Sequence, residues 1–294
     1  MELKSQSAME YLMTYGWAIL IIAVVLSVLF QLGVFSSGNF QPHAQAGACQ
    51  VSRTVAGVSL EGQCNGLLPE FVANFNGQGF MTLTGLDWSY PQVTTTMWVY
   101  FPQSFLSTPP ADGYYGVIGG YDSSTGQCLP FSISMRGATG PDFCASNTIS
   151  STLCSFSPSN PAIGTWAFVT GRYNGTDVST WINGVPDSGG AIAPMTGSIV
   201  NYNLNWVGAG ECGTYNFQGE LSNVQVYNTS LSASEIQSLY LEGIGGAPIR
   251  PQNLVAWWPL NGNLNDYSGN GYNGQDTYNG VQFSSSWESG YTPP

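Results

Sequence analysis

Residues 13–35 carry no charge, and thirteen of them are Ile, Leu, Val or Phe. No other feature limits the fold of this chain so strongly. As a helix rising ~1.5 Å per residue, the run spans roughly 35 Å, enough for a hydrocarbon core of ~30 Å. Each of those side chains favours insertion by about 0.3–0.6 kcal/mol near the bilayer centre. The run is apolar on every side of a helix, so lipid or other helices must surround it. Lys4, ahead of it, favours a cytoplasmic N-terminus. Glu10 stands at its threshold. An isolated carboxylate in hydrocarbon costs about 2.5–3.5 kcal/mol, less if a cation lies beside it. A secretory signal would need only ~7–15 apolar residues, and the cleavage-like triplet Ala44-Gln45-Ala46 lies far past the run. A plain single-pass anchor explains the length but not Glu10.

Beyond the run, "SSGNFQPHAQAGA" (residues 36–48) reads as a small, polar linker. Charged residues are only 7% of the 294, the net charge is −12, and the basic residues are Lys4, Arg53, Arg136, Arg172 and Arg250. No basic patch can form, so a nucleic-acid partner is not expected. Aromatics reach 13%, which argues for a packed core rather than disorder. The six cysteines, Cys49, Cys64, Cys128, Cys144, Cys154 and Cys212, include no C-x-x-C spacing, and the lone histidine, His43, falls in the linker. A Cys/His zinc site is therefore not expected, and three disulfides in an oxidising compartment fit better than buried free thiols. Cys144 with Cys154, and Cys49 with Cys64, bracket short loops, which leaves Cys128 with Cys212 among fifteen formal pairings. Sequons at Asn174 and Asn228 are candidate glycosylation sites.

Short runs rich in Val, Ile, Thr and aromatics then recur between Gly, Asn and Pro: "TTTMWVYFP", "YYGVIGGY", "FSISMRG", "TWAFVTGRYNG", "DVSTWINGV", "LNWVGAG" and "LSNVQVYN". This spacing predicts a β-sandwich. Asn174-Gly175 and Asn183-Gly184 predict tight turns, because both residue types tolerate positive φ. One helix is expected at Ser232-Ala233-Ser234-Glu235, a capping box with Ile236, Leu239 and Tyr240 on one face and Gly243 as the stop.

"KSQSAMEYLM" resembles the class III signal peptide of archaeal type IV pilin-like proteins. The resemblance implies that a prepilin peptidase cuts between Ser5 and Gln6, giving a leader at 1–5 and a hydrophobic helix at 6–35. Glu10 then becomes the fifth residue of the mature chain. Ala8 stands where that family often has serine, and Ser5 where it often has glycine. Staggered helices could bring the new amine of Gln6 in one copy to Glu10 of the next, so Glu10 is the expected assembly residue. A carboxylate merely solvated at the interface is the plainer alternative.

"FNGQGFMTL", "MWVYF", "WAFVTGRYNGTDVSTWINGV", "FQGELSNVQVYNTSLSASEIQSLY" and "LVAWWPLNGNLNDYSGNGYNG" resemble the laminin G-like, concanavalin A-like lectin/glucanase superfamily over residues 71–283. The resemblance implies an all-β jelly-roll sandwich over residues 49–294. In that family the "WPL-G---D-SGNG--G" stretch usually opens the domain; here it closes it, so segment 253–274 is expected in permuted order. It either returns to its own sandwich or is donated to a neighbouring subunit. Some relatives cleave polysaccharides with paired carboxylates on one strand, but the comparable strand here offers Glu220 alone, and glycosidases need two carboxyls roughly 5–9.5 Å apart. No enzyme activity is expected. Asp266, with Asn263 and Asn265, is the candidate ligand set for a structural Ca²⁺, against a metal-free Gly/Asn-rich turn. Sugar contact would need aromatic platforms, for which Tyr114, Tyr115, Tyr121, Trp206, Tyr215 and Tyr272 are available.

The expected molecule is thus an all-β jelly-roll sandwich behind a long N-terminal transmembrane or filament-core α-helix. It would be a surface filament subunit, anchored in the cytoplasmic membrane before assembly, displaying a lectin-like domain for adhesion or glycan binding. The alternatives are a membrane-tethered lectin-like monomer and a polysaccharide-cleaving enzyme.

Overall fold

Helix α1, Gln6–Gln31, runs for 26 residues. It has no proline, and its interior is dominated by Ala, Leu, Ile and Val. The computed structural model describes residues 6–31, 51–53, 60–62, 68–102, 114–122, 127–128, 131–136, 139–148, 151–159, 161, 163–187, 196–200, 204–210, 216–287 and 289–294. The chain divides into two units, Met1–His43 and Ala44–Pro294. In α1 the side chains of residues 15–27 are described, and every one is exposed, Trp17 and Ile19 each at 66%. Those residues make only ~20 Å of helix, and over the described residues no apolar span is long enough to cross a membrane. Ser5 and the expected helix end at residues 32–35 lie outside the described residues; Gln6 and Glu10 lie on the helix backbone.

The second unit is built of strands, every pair of them antiparallel. A small hairpin joins β1 (Val51–Arg53) to β2 (Leu60–Gly62). Sheet I has the order β10 (Ser151–Phe156), β9 (Thr139–Thr148), β8 (Phe131–Arg136), β6 (Tyr114–Asp122), β14 (Leu204–Val207), β4 (Phe80–Leu83), β17 (Gly274–Thr277), with β7 (Gln127–Cys128) against β6. Sheet II has the order β13 (Val185–Pro186), β12 (Val178–Ile182), β11 (Trp166–Tyr173), β5 (Val93–Tyr100), β15 (Gln218–Tyr227), β3 (Val72–Asn76), β18 (Val281–Ser284), with β16 (Leu254–Trp258) against β15. Alternate residues of each strand point into the space between the sheets, as the strand period of two requires. Phe75, Met81, Leu83, Met97, Val99, Phe143, Val169, Val207, Leu221 and Trp258 meet there in one core. This is the two-sheet sandwich of a jelly roll.

The outer face of sheet II is also apolar, which explains why seven of the eight residues of β5 are buried. Trp98, Trp166, Phe168, Trp181 and Trp257 form a second cluster there. It is covered by helix α2 (Ala233–Leu241) and the C-terminal segment. In α2 the capping box forms as expected: the Ser232 side chain accepts from the Glu235 N–H while Glu235 Oε2 accepts from the Ser232 N–H. Gly243 follows at φ 81°. Ile236 and Leu239 are buried, and the Tyr240 ring stacks on Trp98 at 5.8 Å. From the C-terminal segment, Trp287 and Tyr291 close on Trp166 and Trp98.

β15 takes two partners in turn along its length. Its residues 218–221 pair with β3, and residues 224–227 pair with β16. Between them Asn223 bulges out at φ 53°, a conformation that Asn tolerates better than most residues. Its side-chain oxygen accepts from Trp257 Nε1 and Gln225 Nε2, and its amide donates to Gly246 O. β16 thus occupies the edge of β15 beyond β3.

Candidate functional site

The chain crosses from β17 in sheet I to β18 in sheet II through a turn at Tyr278 and Asn279, at φ 63° and 52°. Left-handed backbone suits Gly or Asn in such a turn; a bulky aromatic there is strained, and strain of this kind concentrates at functional positions. Tyr278 is 74% exposed. Its ring meets Phe80 edge-on at 6.0 Å, and Phe80 lies 5.6 Å from Trp206. Phe80 and Thr82 alternate with the core residues Met81 and Leu83, so this cluster lies on the outer face of sheet I. Gly79 makes the arrangement possible: a Cβ there would sit 2.0 Å from Thr277 O, so only glycine lets the β3–β4 turn abut the β17–β18 turn. Beside the rings, Thr82 and Thr277 share a hydroxyl hydrogen bond of 2.6 Å, and Gln275 stands exposed opposite Thr82. Trp206 is only 5% exposed, its indole N–H held by Gly210 O. It backs the platform, and Tyr278 with Phe80 presents it. A ring cluster flanked by hydroxyl and amide groups suits the C–H face and hydroxyls of a sugar.

Asp266 has a different task from the one its residue type suggests. Its Oδ1 accepts from the N–H groups of Trp257 (3.0 Å) and Ser268 (2.8 Å), and its Oδ2 from Ser268 Oγ (2.8 Å) and the Tyr272 N–H (2.9 Å). Four bonds fill the acceptor capacity of a carboxylate. The same loop satisfies the outward edge of β16: Tyr267 N–H donates to Trp257 O, and Asn270 Nδ2 to Leu254 O and Val255 O. Asn263 Oδ1 accepts from the Asn265 N–H, and its amide donates to Tyr267 Oη. Both Asp266 oxygens and Asn263 Oδ1 are thus taken up by donors of the loop and of β16, so a Ca²⁺ ion at this set would have to displace those bonds. Among the described residues no group of three or more His, Cys, Asp or Glu could hold a metal ion.

Glu220 lies on the outer face of sheet II, directly opposite Tyr100 on one side and Asn74 on the other. Neither is a carboxylate, so among these flanking residues it has no partner for glycoside hydrolysis. Asn74 Nδ2 donates to Glu220 Oε1 at 3.5 Å. Burial raises the Glu220 carboxyl above its ordinary range, and the Asn74 hydrogen bond only partly offsets this.

Residues 75–237, more than half of the 294, match the laminin G-type model of the concanavalin A-like lectin/glucanases superfamily. The chain belongs to the concanavalin A-like lectin/glucanases superfamily. In this superfamily member the stretch that resembles a domain opening, β16 and its plugging loop, lies after the matched residues. The chain is also similar to three solved structures. The native heptameric SAP-like pentraxin from Limulus polyphemus is 17% identical, with a TM-score of 0.42, covering 58% of this chain and 81% of that one. A putative carbohydrate binding protein from Bacteroides ovatus is 13% identical, with a TM-score of 0.49 and coverage of 82% and 70%. The botulinum neurotoxin serotype G binding domain is 15% identical, with a TM-score of 0.41 and coverage of 58% and 46%. No curated protein matches the sequence.

Of the cysteines of this lectin-like domain, Cys144 and Cys154 are joined, as a directly opposed pair in the β9–β10 hairpin. Cys128 lies on the β7 backbone opposite Tyr121, and Cys49, Cys64 and Cys212 lie outside the described residues. Asn174 sits in the exposed β11–β12 turn, its Oδ1 accepting from the Thr176 N–H and hydroxyl and the Asp177 N–H. Asn228 is half-buried, its Oδ1 accepting from Asn253 Nδ2. Of the expected platform residues, Tyr115 is buried in the core and Tyr272 packs against it; Tyr215 lies outside the described residues. Sequence reasoning missed Tyr278 and Phe80. The signal was present: "TYNG" places an aromatic where a tight turn wants Asn or Gly.

Proposed function

We propose that this chain is a cell-surface filament subunit that displays its lectin-like domain for adhesion to glycans. The observation that carries the reading is α1: its described residues 15–27 are apolar, exposed on every side, and need lipid or other copies of the same helix to cover them. The membership in a lectin/glucanase superfamily supports a displayed sugar-contacting domain. In this reading the prepilin peptidase cuts between Ser5 and Gln6, the helix holds the chain in the cytoplasmic membrane, and it then enters a filament core of identical helices. Glu10 answers the new amine of Gln6 on a neighbouring copy. Cys49 with Cys64 and Cys128 with Cys212 complete the disulfides, and Asn174 and Asn228, both half-buried, are the glycosylation candidates. The sugar contact is made by Tyr278 and Phe80. Partners are copies of itself, the peptidase, the membrane and a glycan.

N-terminal sequencing of the protein sheared from cells, with electron microscopy of Glu10→Ala, tests the reading. The expected chain begins at Gln6, and Glu10→Ala should remove filaments while the sandwich keeps its melting temperature. A chain that retains residues 1–5 and forms no filaments would reduce the molecule to a membrane-tethered lectin-like protein, and filaments that persist without the acid would overturn the role of Glu10.

A further inference from the structure

The cover over sheet II is incomplete. α2, Trp287 and Tyr291 lie over Trp98, Phe168 and Trp166, and the apolar surface ends at Trp166. Beyond it one line of residues crosses five strands in register. Trp166 of β11 is opposite Tyr100 of β5, Tyr100 is opposite Glu220 of β15, Glu220 is opposite Asn74 of β3, and Asn74 is opposite Gln282 of β18. Each lies beside a core residue in its own strand (Ala167, Val99, Leu221, Ala73 and Val281), so all five point away from the core. Neighbouring strands are ~4.8 Å apart, which sets these side chains at about the spacing of successive contacts along one ligand.

The chemistry changes along the line. Trp166 is a buried wall, its indole N–H donating to Trp287 O. Tyr100 leans on it at 5.7 Å and is half-exposed. Glu220 and Asn74 are half-exposed and Gln282 fully so. Gln218 and Asn76, also opposed to each other, add two half-exposed amides one step along. Glu220 has the 3.5 Å contact to Asn74 and no ion pair among the described residues. A half-buried carboxylate so weakly satisfied, between a ring and four amides, is built to receive hydrogen-bond donors.

We propose that Tyr100, Glu220, Asn74 and Gln282 form a second saccharide-binding site, on the face of the sandwich opposite Tyr278. Glu220 and Asn74 take two adjacent hydroxyls of a neutral sugar, Gln282 takes a further hydroxyl, and Tyr100 lies against the ring's C–H face. With a contact on each outer face, one domain binds two saccharide chains. This rests on the proposed glycan-contacting role of the domain but not on the Tyr278 cluster or on filament assembly.

The test is titration calorimetry of the full chain in detergent micelles with maltohexaose, cellohexaose and mannohexaose, and with spermidine as a cationic probe. The expected result is that at least one hexaose binds with two sites per chain. Glu220→Gln, with a melting temperature no lower than that of the wild type, and Gln282→Ala, with an unchanged one, should each weaken one site at least tenfold and leave the other. Tyr278→Ala should remove the other. A single site that Tyr278→Ala abolishes and Glu220→Gln leaves intact overturns this proposal while sparing the domain's proposed role. Binding to none of the hexaoses overturns both. Spermidine bound at Glu220 in place of any hexaose shows a cation site and overturns the saccharide assignment.

Discussion

Tyr278 adopts a left-handed backbone that costs an ordinary residue about 1–2 kcal/mol, and Asn less. The turn itself does not demand a ring at that point, since Tyr278 is largely exposed. The prediction is a split: Tyr278→Asn should stabilise the fold by about 1 kcal/mol in urea unfolding and weaken glycan binding at the sheet I face. If binding survives, the strain has no bearing on sugar contact. Asp266 shows the opposite relation between residue and role. Asp266→Asn would turn an amide N–H toward donors that now meet an oxygen, so a loss of about 3 kcal/mol is expected from unfolding midpoints. Because its oxygens are committed to N–H and O–H donors, neither Ca²⁺ nor EDTA should shift the melting temperature of the wild-type chain. A Ca²⁺-dependent rise abolished in the variant would restore the ligand role.

At the scale of elements, α2 ends in a carboxylate that the fold tolerates poorly. Burial raises Glu242 above its ordinary range, with the Ala247 N–H partly opposing, and its Oε2 is buried without a partner. Glu220 is raised in the same sense by burial. Raised carboxyls bind more protons in the folded than in the unfolded state, so their stabilisation is full below the ordinary carboxylate pKa and is lost as pH rises through the folded values. Glu235 acts oppositely: burial alone would raise it, but hydrogen bonds from Ser232 and the ion pair with Arg250 outweigh that and lower it. Glu242→Gln should therefore raise the melting temperature at pH 7 more than at pH 4, read by calorimetry at both. Sequence pattern alone found α2, its capping box and its glycine stop, because those signals are local. It found seven of the strands for the same reason, and it placed the Cys144–Cys154 bridge from a ten-residue spacing. It could not find β9, where Pro141 breaks the usual strand composition yet still accepts a bond from the Ser157 N–H. Nor could it see that Asp266 faces the edge of β16, or that Glu220 sits between Tyr100 and Asn74. Those facts depend on register between strands distant in sequence.

For the whole molecule, the pairing of β3 with β18 decides where those two strands meet the end of the sandwich. Val72, the first residue of β3, is opposite Ser284, the last residue of β18, so both crossings lie at one end of sheet II. Past Ser284 the tail returns across that end. Trp287 Nε1 donates to Pro69 O, just ahead of β3, and Trp166 Nε1 donates to Trp287 O. Tyr291 accepts from the Ile244 N–H at the end of α2, and burial pushes its hydroxyl up to about 12. The tail thus ties the segment ahead of β3, the end of α2 and the outer core together. Trp287 is 1% exposed and leaves no room for water in its place. Trp287→Ala should cost about 3–5 kcal/mol in urea unfolding, the range for emptying a buried aromatic site. It should also speed proteolysis at residues 68–71, with the rest of the sandwich protected until global unfolding. Equal protection of that segment in variant and wild type would mean that the tail packs on the domain without clamping the segment ahead of β3.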